Sequence, residues 1–209
     1  MLGRSVEMLK ELLEQLKPYK IPGIVVTITN PADIVADYVR KGLGLERNRV
    51  FGTGTLLDTA RLIRTLSEES GVGRRSIQAY SLGEHGDSSM IPFSSVTIGG
   101  LPFDAYDISK EKVLEATRQI GMTIIEGKKS TEFGIGRALT EMAACILRDE
   151  KKIMPASVLL QGEYGQHDVH CGVPCLIGKN GIEKIIELPL TEEEQEMLNQ
   201  SCEVIKKHI

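Results

Sequence analysis

The stretch "SLGEHGDSS", Ser81 to Ser89, sets His85 between two carboxylates and two glycines, with no apolar residue from Gly83 to Ser89. A histidine beside a carboxylate can keep one ring nitrogen committed to that partner and use the other to pass a proton near neutral pH. It follows the strand-like run "SIQAYSL", and loops that leave strands are where α/β proteins carry their chemistry. A second group lies in "LLDTARL". Asp58 and Arg61 stand three apart, so on a helix they project from one face about a turn from each other. The carboxylate could fix the tautomer of His85 and favour its protonated form. The guanidinium offers a planar fork to a substrate carboxylate, in a bidentate geometry that lysine cannot imitate. Asn30 completes the set of polar residues at strand ends. From spacing alone, a solvated turn at His85 and a local helix ion pair between Asp58 and Arg61 stand as the competing readings.

The elements that must position these residues follow from periodicity. Val6, Leu9, Leu12, Leu13 and Leu16 share one face of a helix over residues 5–17, which ends before Pro18. "GIVVTIT", Gly23 to Thr29, is apolar on both faces, as expected of a central parallel strand, and stops at Asn30-Pro31. A helix "ADIVADYVRKGLG", a strand "RVFGTGT" and a helix beginning near Thr55 come next. This αβαβα alternation predicts part of a doubly wound parallel sheet, with Asn30 and the Gly52 to Thr55 loop at clustered strand ends. After Gly86 the pattern changes. "MIPFSSVTIGGLPF" predicts a hairpin, and "PASVLLQGEYG", "VHCGVPCLIG" and "GIEKIIEL" predict antiparallel strands with a turn at Lys179 to Gly181. Long helices are expected over Ser109 to Gly127 and Ile135 to Asp149, and a last one from Thr191 to His208, with Thr191 and Glu194 as its capping box. The fold class expected is therefore α/β, a remnant of a doubly wound parallel (Rossmann) sheet followed by a mixed α+β substrate domain.

Composition excludes several partners. Lys plus Arg is 25 against Asp plus Glu 29, a net charge of -4 with the basic residues scattered, which argues against nucleic acid. Apolar runs such as "GIVVTI" fall far short of the ~18 residues of a membrane span, and the N-terminus is amphipathic rather than a signal peptide. A soluble cytosolic protein with no membrane partner is expected. Four irregularly spaced cysteines imply reduced thiols rather than a disulfide framework. "HDVHCGVPC" has the residue types of a zinc site, but as a strand it would hold Cys171 and Cys175 about 13 Å apart, so no metal is expected. The phosphate-binding pattern G-x-G-x-x-G is not met: "GTGTLL", "GVGRRS" and "GIGRAL" each lack the third glycine.

The segments "TNPAD", "GTGTLLDTAR" and "GEHGDS", in this order and at these separations, resemble the signature of the L-lactate and L-malate dehydrogenase family, closest to its L-2-hydroxy acid branch. The resemblance continues through "STEFGIGRALTEM" and "GIEKIIELPLTEEEQEML" to the C-terminus. It implies His85 as proton donor and acceptor, Asp58 as the carboxylate behind it, Arg61 as the clamp on the substrate carboxylate and Asn30 as the residue orienting the reacting groups. Thr131 matches the position lining the substrate side-chain pocket. Ile28, Thr53 and Ile135, with Asn30, match positions touching the nicotinamide of NAD. The implied reaction moves a hydride from NADH to the C2 carbonyl of a 2-oxo acid. L-lactate is the first substrate, hydroxyisocaproate the second and malate the third. The family resemblance further implies a cytoplasmic, glycolytic homo-oligomer, dimer or tetramer. It divides the chain into residues 1–54, the second part of an incomplete NAD-binding domain, and residues 55–209, the catalytic domain. The family's nucleotide-binding first half and its mobile substrate-selecting loop precede the matched region, so an inactive fragment, or a non-catalytic oligomerisation module, is expected of the chain by itself. Some bacterial relatives bind fructose bisphosphate through an arginine and a histidine, where this chain has Ile63 and Gln78. That activator site is expected to be absent.

Overall fold

The computed structural model of the chain describes residues 2–128 and 131–209, with side chains from Glu7 onward other than those at 122, 124, 125 and 128. The expected apolar contact of Val6, and Ser130 of the "STEFG" segment, lie outside the described residues. The first half runs α1 (Leu2–Leu16), β1 (Val25–Thr27), α2 (Ala32–Leu43), β2 (Val50–Gly52), α3 (Leu56–Ser70), β3 (Ile77–Gln78), β4 (Thr97–Ile98) and β5 (Leu101–Pro102). The second half runs α4 (Lys110–Lys128), α5 (Phe133–Arg148), β6 (Lys152–Gln161), β7 (His167–Gly178), β8 (Gly181–Ile185) and α6 (Glu192–Lys206).

One sheet has the order β1-β2-β6-β7-β8. β1 and β2 pair in parallel, β2 meets β6 antiparallel where Gly52 faces Ser157, and β6 to β8 continue antiparallel. The remnant of the parallel layer and the antiparallel strands of the mixed α+β part thus share a single mixed sheet. A Cβ on Gly52 would lie 3.1 Å from Thr27 Oγ1 and 3.2 Å from Ser157 Cβ, so the two layers can join closely there because the residue has no side chain. β1 is shorter than the "GIVVTIT" run. It lies at the edge of the described sheet, where Val25 and Val26 are only partly buried. β3, β4 and β5 form a smaller antiparallel sheet, turned at Gly99 and Gly100, both with positive φ, which glycine adopts without steric cost. α6 starts at Thr191 with both hydrogen bonds of the capping box present.

Alternation along β6 and β7 divides the large sheet into two unlike faces. Ala156, Val158 and Leu160 pair with Val173, Cys171 and Val169, and these pack with Met142 and Cys145 of α5 and Leu198, Cys202 and Ile205 of α6. The opposite face carries Ser157, paired with Gly172, and Leu159, paired with His170, and it lies against α2. A second core, Leu62 and Leu66 of α3 with Ile77, Ile98, Phe103 and Val113, holds α3 and α4 to the small sheet. Leu82 and Met90 belong to the first core and Ile91 to the second, so the segment carrying His85 spans the junction.

The α2 face holds an ionisable pair that the sequence does not announce. Asp37 and His170 are 1% and 0% exposed, and Nδ1 of the imidazole lies 3.2 Å from Oδ1 of the carboxylate, outside good hydrogen-bond geometry. Burial holds His170 below the ordinary histidine value, with Asp37 opposing. Burial also works to raise the Asp37 carboxyl, but His170 and the Lys41 ammonium outweigh it and hold it below the carboxylate range. Both shifts have one sign: the unfolded chain binds protons more readily than the folded one as pH falls, so stability present at pH 7 is lost from about pH 6.5 downward. In denaturant unfolding, Asp37→Leu is expected to lose about 1 to 3 kcal/mol by stranding a buried imidazole. His170→Phe is expected to lose at least as much. The double substitution should lose less than the sum and flatten the acid limb; additive losses with an unchanged limb would show that the pair is not coupled.

Candidate active site

His85 is held from several sides by elements distant in sequence. Thr55, immediately before α3, donates its hydroxyl to Ser81 O at 2.5 Å, and Ser81 N–H donates to Thr59 Oγ1 at 2.9 Å. Leu82 and Met90 exchange both main-chain hydrogen bonds, closing the loop on itself. Gly83 and Gly172 of β7 exchange two more, at 3.0 and 2.9 Å. A Cβ at Gly172 would lie 2.8 Å from Gly83 O, and one at Gly83, whose φ is +95°, would lie 2.4 Å from Ser201 Oγ. Only glycine permits that approach. Glu84 N–H then donates to the buried Ser201 of α6 at 2.8 Å, and His85 N–H donates to Asp33 Oδ2 of α2 at 2.9 Å.

On this mount the imidazole meets α3. His85 Nδ1 lies 2.6 Å from Asp58 Oδ2, and since an ionised carboxylate only accepts, the proton is assigned to Nδ1. Asp58 Oδ1 accepts from Arg61 Nη1 at 3.0 Å. One carboxylate therefore joins both cations, and the local helix pair and the longer-range contact coexist. The bond from Asp58 raises His85 above the ordinary histidine value against the opposing effect of burial, and Asp33 adds to the rise while Arg61 works against it. Arg61 uses one N–H on Asp58, so its fork keeps further donors for a ligand.

Two cavities meet at His85. A cleft of about 280 Å³ is lined by Asn30, Asp58, Arg61, His85 and Thr131, with Ser81, Ile91, Thr117, Arg118 and Gly121 among its other walls. A smaller hollow of about 160 Å³ is lined by Ile28, Ala32, Thr53, Gly54 and Ile135. Asn30, Leu57, His85 and Thr131 line both. All eight positions singled out in the sequence thus lie on one or both cavities. The smaller has a mixed lining: Ile28, 42% exposed, with Ala32, Leu57 and Ile135 give apolar side chains, and Asn30, Thr53, His85 and Thr131 give polar ones. That combination fits a flat ring bearing an amide, as nicotinamide does. Among the described residues no group of three or more His, Cys, Asp or Glu could hold a metal ion, and no helix is long and apolar enough to cross a membrane.

Several wall and support residues were not foreseen. Gly121 lies where a Cβ would come within 3.0 Å of Arg61 Nη1, so its bareness leaves room for the guanidinium. Arg118 donates to Asp87 O at 3.0 Å and ties α4 to the His85 loop. Ser201 and Asp33 have ordinary signals, a serine within a helix and an acid in a helix's first turn, and neither announces a contact far away in sequence. The same holds for the cysteines: Cys171 faces not Cys175 but Cys202 of α6, Sγ to Sγ 3.5 Å, and all four are free thiols.

Comparison with known proteins agrees with the geometry. The family model described as lactate/malate dehydrogenase, alpha/beta C-terminal domain, matches residues 55–209. The L-lactate dehydrogenase of Fusobacterium nucleatum is 44% identical over 98% of this chain and 67% of its own length. The structure of the malate dehydrogenase from Aeropyrum pernix matches with a TM-score of 0.93 at 36% identity, covering 100% of this chain and 71% of that one. The lactate dehydrogenase from Cryptosporidium parvum, complexed with lactic acid and nicotinamide adenine dinucleotide, matches with a TM-score of 0.92 at 31% identity over 98% of this chain and 67% of that one. The chain spans about two thirds of the length of each of these relatives.

The bond to Asp58 makes the titration of His85 a direct probe of the site. Asp58→Asn removes the charge that favours imidazolium, so the midpoint of His85, followed by NMR of its ring, is expected to move down. A midpoint that stayed in place would show that the carboxylate does not set the state of the ring.

Proposed function

The chain belongs to the lactate/malate dehydrogenase family, and on that footing we propose that it is the catalytic part of an enzyme that interconverts an L-2-hydroxy acid and its 2-oxo acid, with L-lactate and pyruvate as the first pair. The observation that carries the reading is the junction of the two cavities at Asn30, Leu57, His85 and Thr131, because a hydride transfer requires two ligands in contact beside one proton donor. NAD is the cofactor in this proposal, and when bound it supplies the hydride acceptor, or as NADH the hydride donor.

The residues of the chain do the rest. Arg61 takes the substrate carboxylate through the donors that Asp58 leaves free, which fixes C2 of the substrate relative to His85. In the reducing direction, protonated His85 gives the proton of its second ring nitrogen, Nε2, to the oxygen on C2, while Asp58 keeps Nδ1 occupied and so holds the ring in one orientation. In the oxidising direction neutral His85 accepts that proton. Asn30, on the wall of both cavities, orients the reacting groups, and Thr131 bounds the substrate side chain. Ile28, Thr53 and Ile135 form the wall against which nicotinamide would lie. The raised value of His85 means that reduction fades, and oxidation improves, as pH rises through it.

Lactate stands first because the 44% identical relative is an L-lactate dehydrogenase. The bulkier hydroxyisocaproate and the dicarboxylic malate are the other arms of the test. We further infer a homo-oligomer in the cytoplasm. The exposed Met8, Leu12 and Leu147 support an apolar interface, and the free thiols support a reducing compartment.

The deciding experiment measures NADH oxidation by the chain with pyruvate, a branched long-chain 2-oxo acid and oxaloacetate, beside NMR titration of His85 with each acid. Pyruvate is expected to perturb His85 the most. Since the sequence has no glycine-rich phosphate loop, these 209 residues by themselves are expected to bind dinucleotide weakly and not to turn over. No perturbation of His85 by any 2-oxo acid would sink the proposal. Arg61→Lys keeps charge but loses the fork, so 2-oxo acid affinity should fall by the worth of one or two charged hydrogen bonds, ~1.5 to 3 kcal/mol each, with dinucleotide affinity unmoved. Ile63 packs against the second core and Gln78 carries no charge, so fructose bisphosphate should change neither binding nor rate; a marked fall in half-saturating pyruvate on adding it would contradict this.

A further inference from the structure

Asp33 follows Asn30 by three residues, in the first turn of α2, and is 3% exposed. Its Oδ2 accepts the main-chain N–H of His85 at 2.9 Å, while Asp58 takes the ring of the same residue. Its Oδ1 is buried, and the hydroxyl of neighbouring Ser157 on β6 lies outside good hydrogen-bond geometry yet near enough to favour the charged carboxylate. Packing does not call for an acid here, since an apolar side chain could fill the place without desolvating a carboxyl group. What the acid does is fix the backbone of the histidine on which the two cavities converge and place a charge near its ring.

We propose that Asp33 is a positioning residue for His85, whose carboxylate fixes the main chain of the histidine and whose charge, added to that of Asp58, favours the imidazolium needed for reduction. The inference rests on the reading of His85 as proton donor. The groups facing Asp33 come from every element around it: His85 and Glu84 from the loop, Ser157 from β6 and Cys171 from β7, with Asp58 and Arg61 of α3 beyond the imidazole. Burial raises the Asp33 carboxyl to about 6; Ser157 and the N–H and imidazole of His85 work against that rise and Glu84 adds to it. When protonated on Oδ1, the group still accepts from His85 N–H through Oδ2 and gains an O–H to offer Ser157. Acid therefore removes the charge and keeps the geometry, which makes the two contributions separable.

Asp33→Asn separates them, because the amide oxygen can still accept from His85 N–H. The readout is NMR titration of the histidine rings of the whole chain, which has four histidines, with His85 assigned by its loss in His85→Gln. In Asp33→Asn the His85 midpoint is expected to fall by about one pH unit, as for removal of one nearby charge. Asp33→Ala should show the same fall together with a displaced or broadened His85 amide signal. Ser157→Ala leaves Asp33 in place but removes a hydroxyl that helps keep it ionised, so the midpoint should move in the same direction by less. Stability supplies an independent check. A carboxyl raised in the folded state loses its stabilising effect as pH rises through about 6, so the melting temperature of Asp33→Asn relative to the parent should be higher at pH 8 than in acid, and a difference that did not change with pH would contradict a buried carboxyl that ionises beside His85. The proposal is overturned if Asp33→Asn and Ser157→Ala leave the midpoint in place while Asp58→Asn moves it. If none of the three moves it, the His85–Asp58 pairing fails and takes the positioning role with it.

Discussion

The rest of the site depends on a close approach of two backbones, Gly83 in the His85 loop and Gly172 in β7, which exchange two hydrogen bonds across a gap that admits no Cβ. These bonds attach the loop at the junction of the two cores to an inner strand of the large sheet. Once attached, the loop lies under α6, where Ser201 takes Glu84 N–H, and beside α2, where Asp33 takes His85 N–H. The imidazole is left projecting toward α3, where Asp58 meets it. Four elements far apart in sequence thereby fix one side chain. A ring whose main chain and Nδ1 are both held has little rotational freedom to lose on binding, which is how a scaffold makes proton transfer efficient.

The two faces of the sheet divide the work. Toward α5 and α6 lie Val158, Leu160, Val169, Val173 and Ile177, a dry apolar layer that drives folding. Toward α2 lie Ser157, His170 and Gly172 on the strands and Asp33 and Asp37 on the helix, one turn apart. Buried polar groups of this kind do not add to stability unless fully paired, and several of their atoms have no partner. The apolar face sustains the fold against them. Of the two acids, Asp33 reaches the His85 loop, and Asp37, farther along the helix, meets His170 instead.

What the sequence revealed follows from what is local. Helix periods, the Thr191 capping box and the antiparallel hairpins are set by residues within a few positions of one another, and they appear where expected. The residues that line the two cavities were legible for a different reason: Asn30 and His85 lie in segments after strands, Asp58 and Arg61 share one face of α3, and the motifs that carry all four resemble those of the family. The joining of β2 to β6 was not legible, because it rests on one residue pair, Gly52 and Ser157, more than a hundred positions apart. The supports Asp33 and Ser201 were hidden likewise. Each has a bland local explanation, and its partner lies elsewhere in the chain.

Asp58 shows why the bland and the functional readings of a motif need not compete. As an i,i+3 partner of Arg61 it forms an ion pair of the kind that contributes little when exposed. Here the pair is only about 15% exposed, and the second carboxylate oxygen is engaged by His85. Were Asp58 bonded to His85 alone, Arg61 would stand in the same cleft as an uncompensated cation beside an imidazole that becomes positive in the proposed reaction. Arg61 works against protonation of His85, and Asp58 offsets it. The carboxylate between them lets a fixed guanidinium and a protonated ring occupy one small cleft, the condition that the proposed reaction sets for holding an anionic substrate and giving it a proton in the same place.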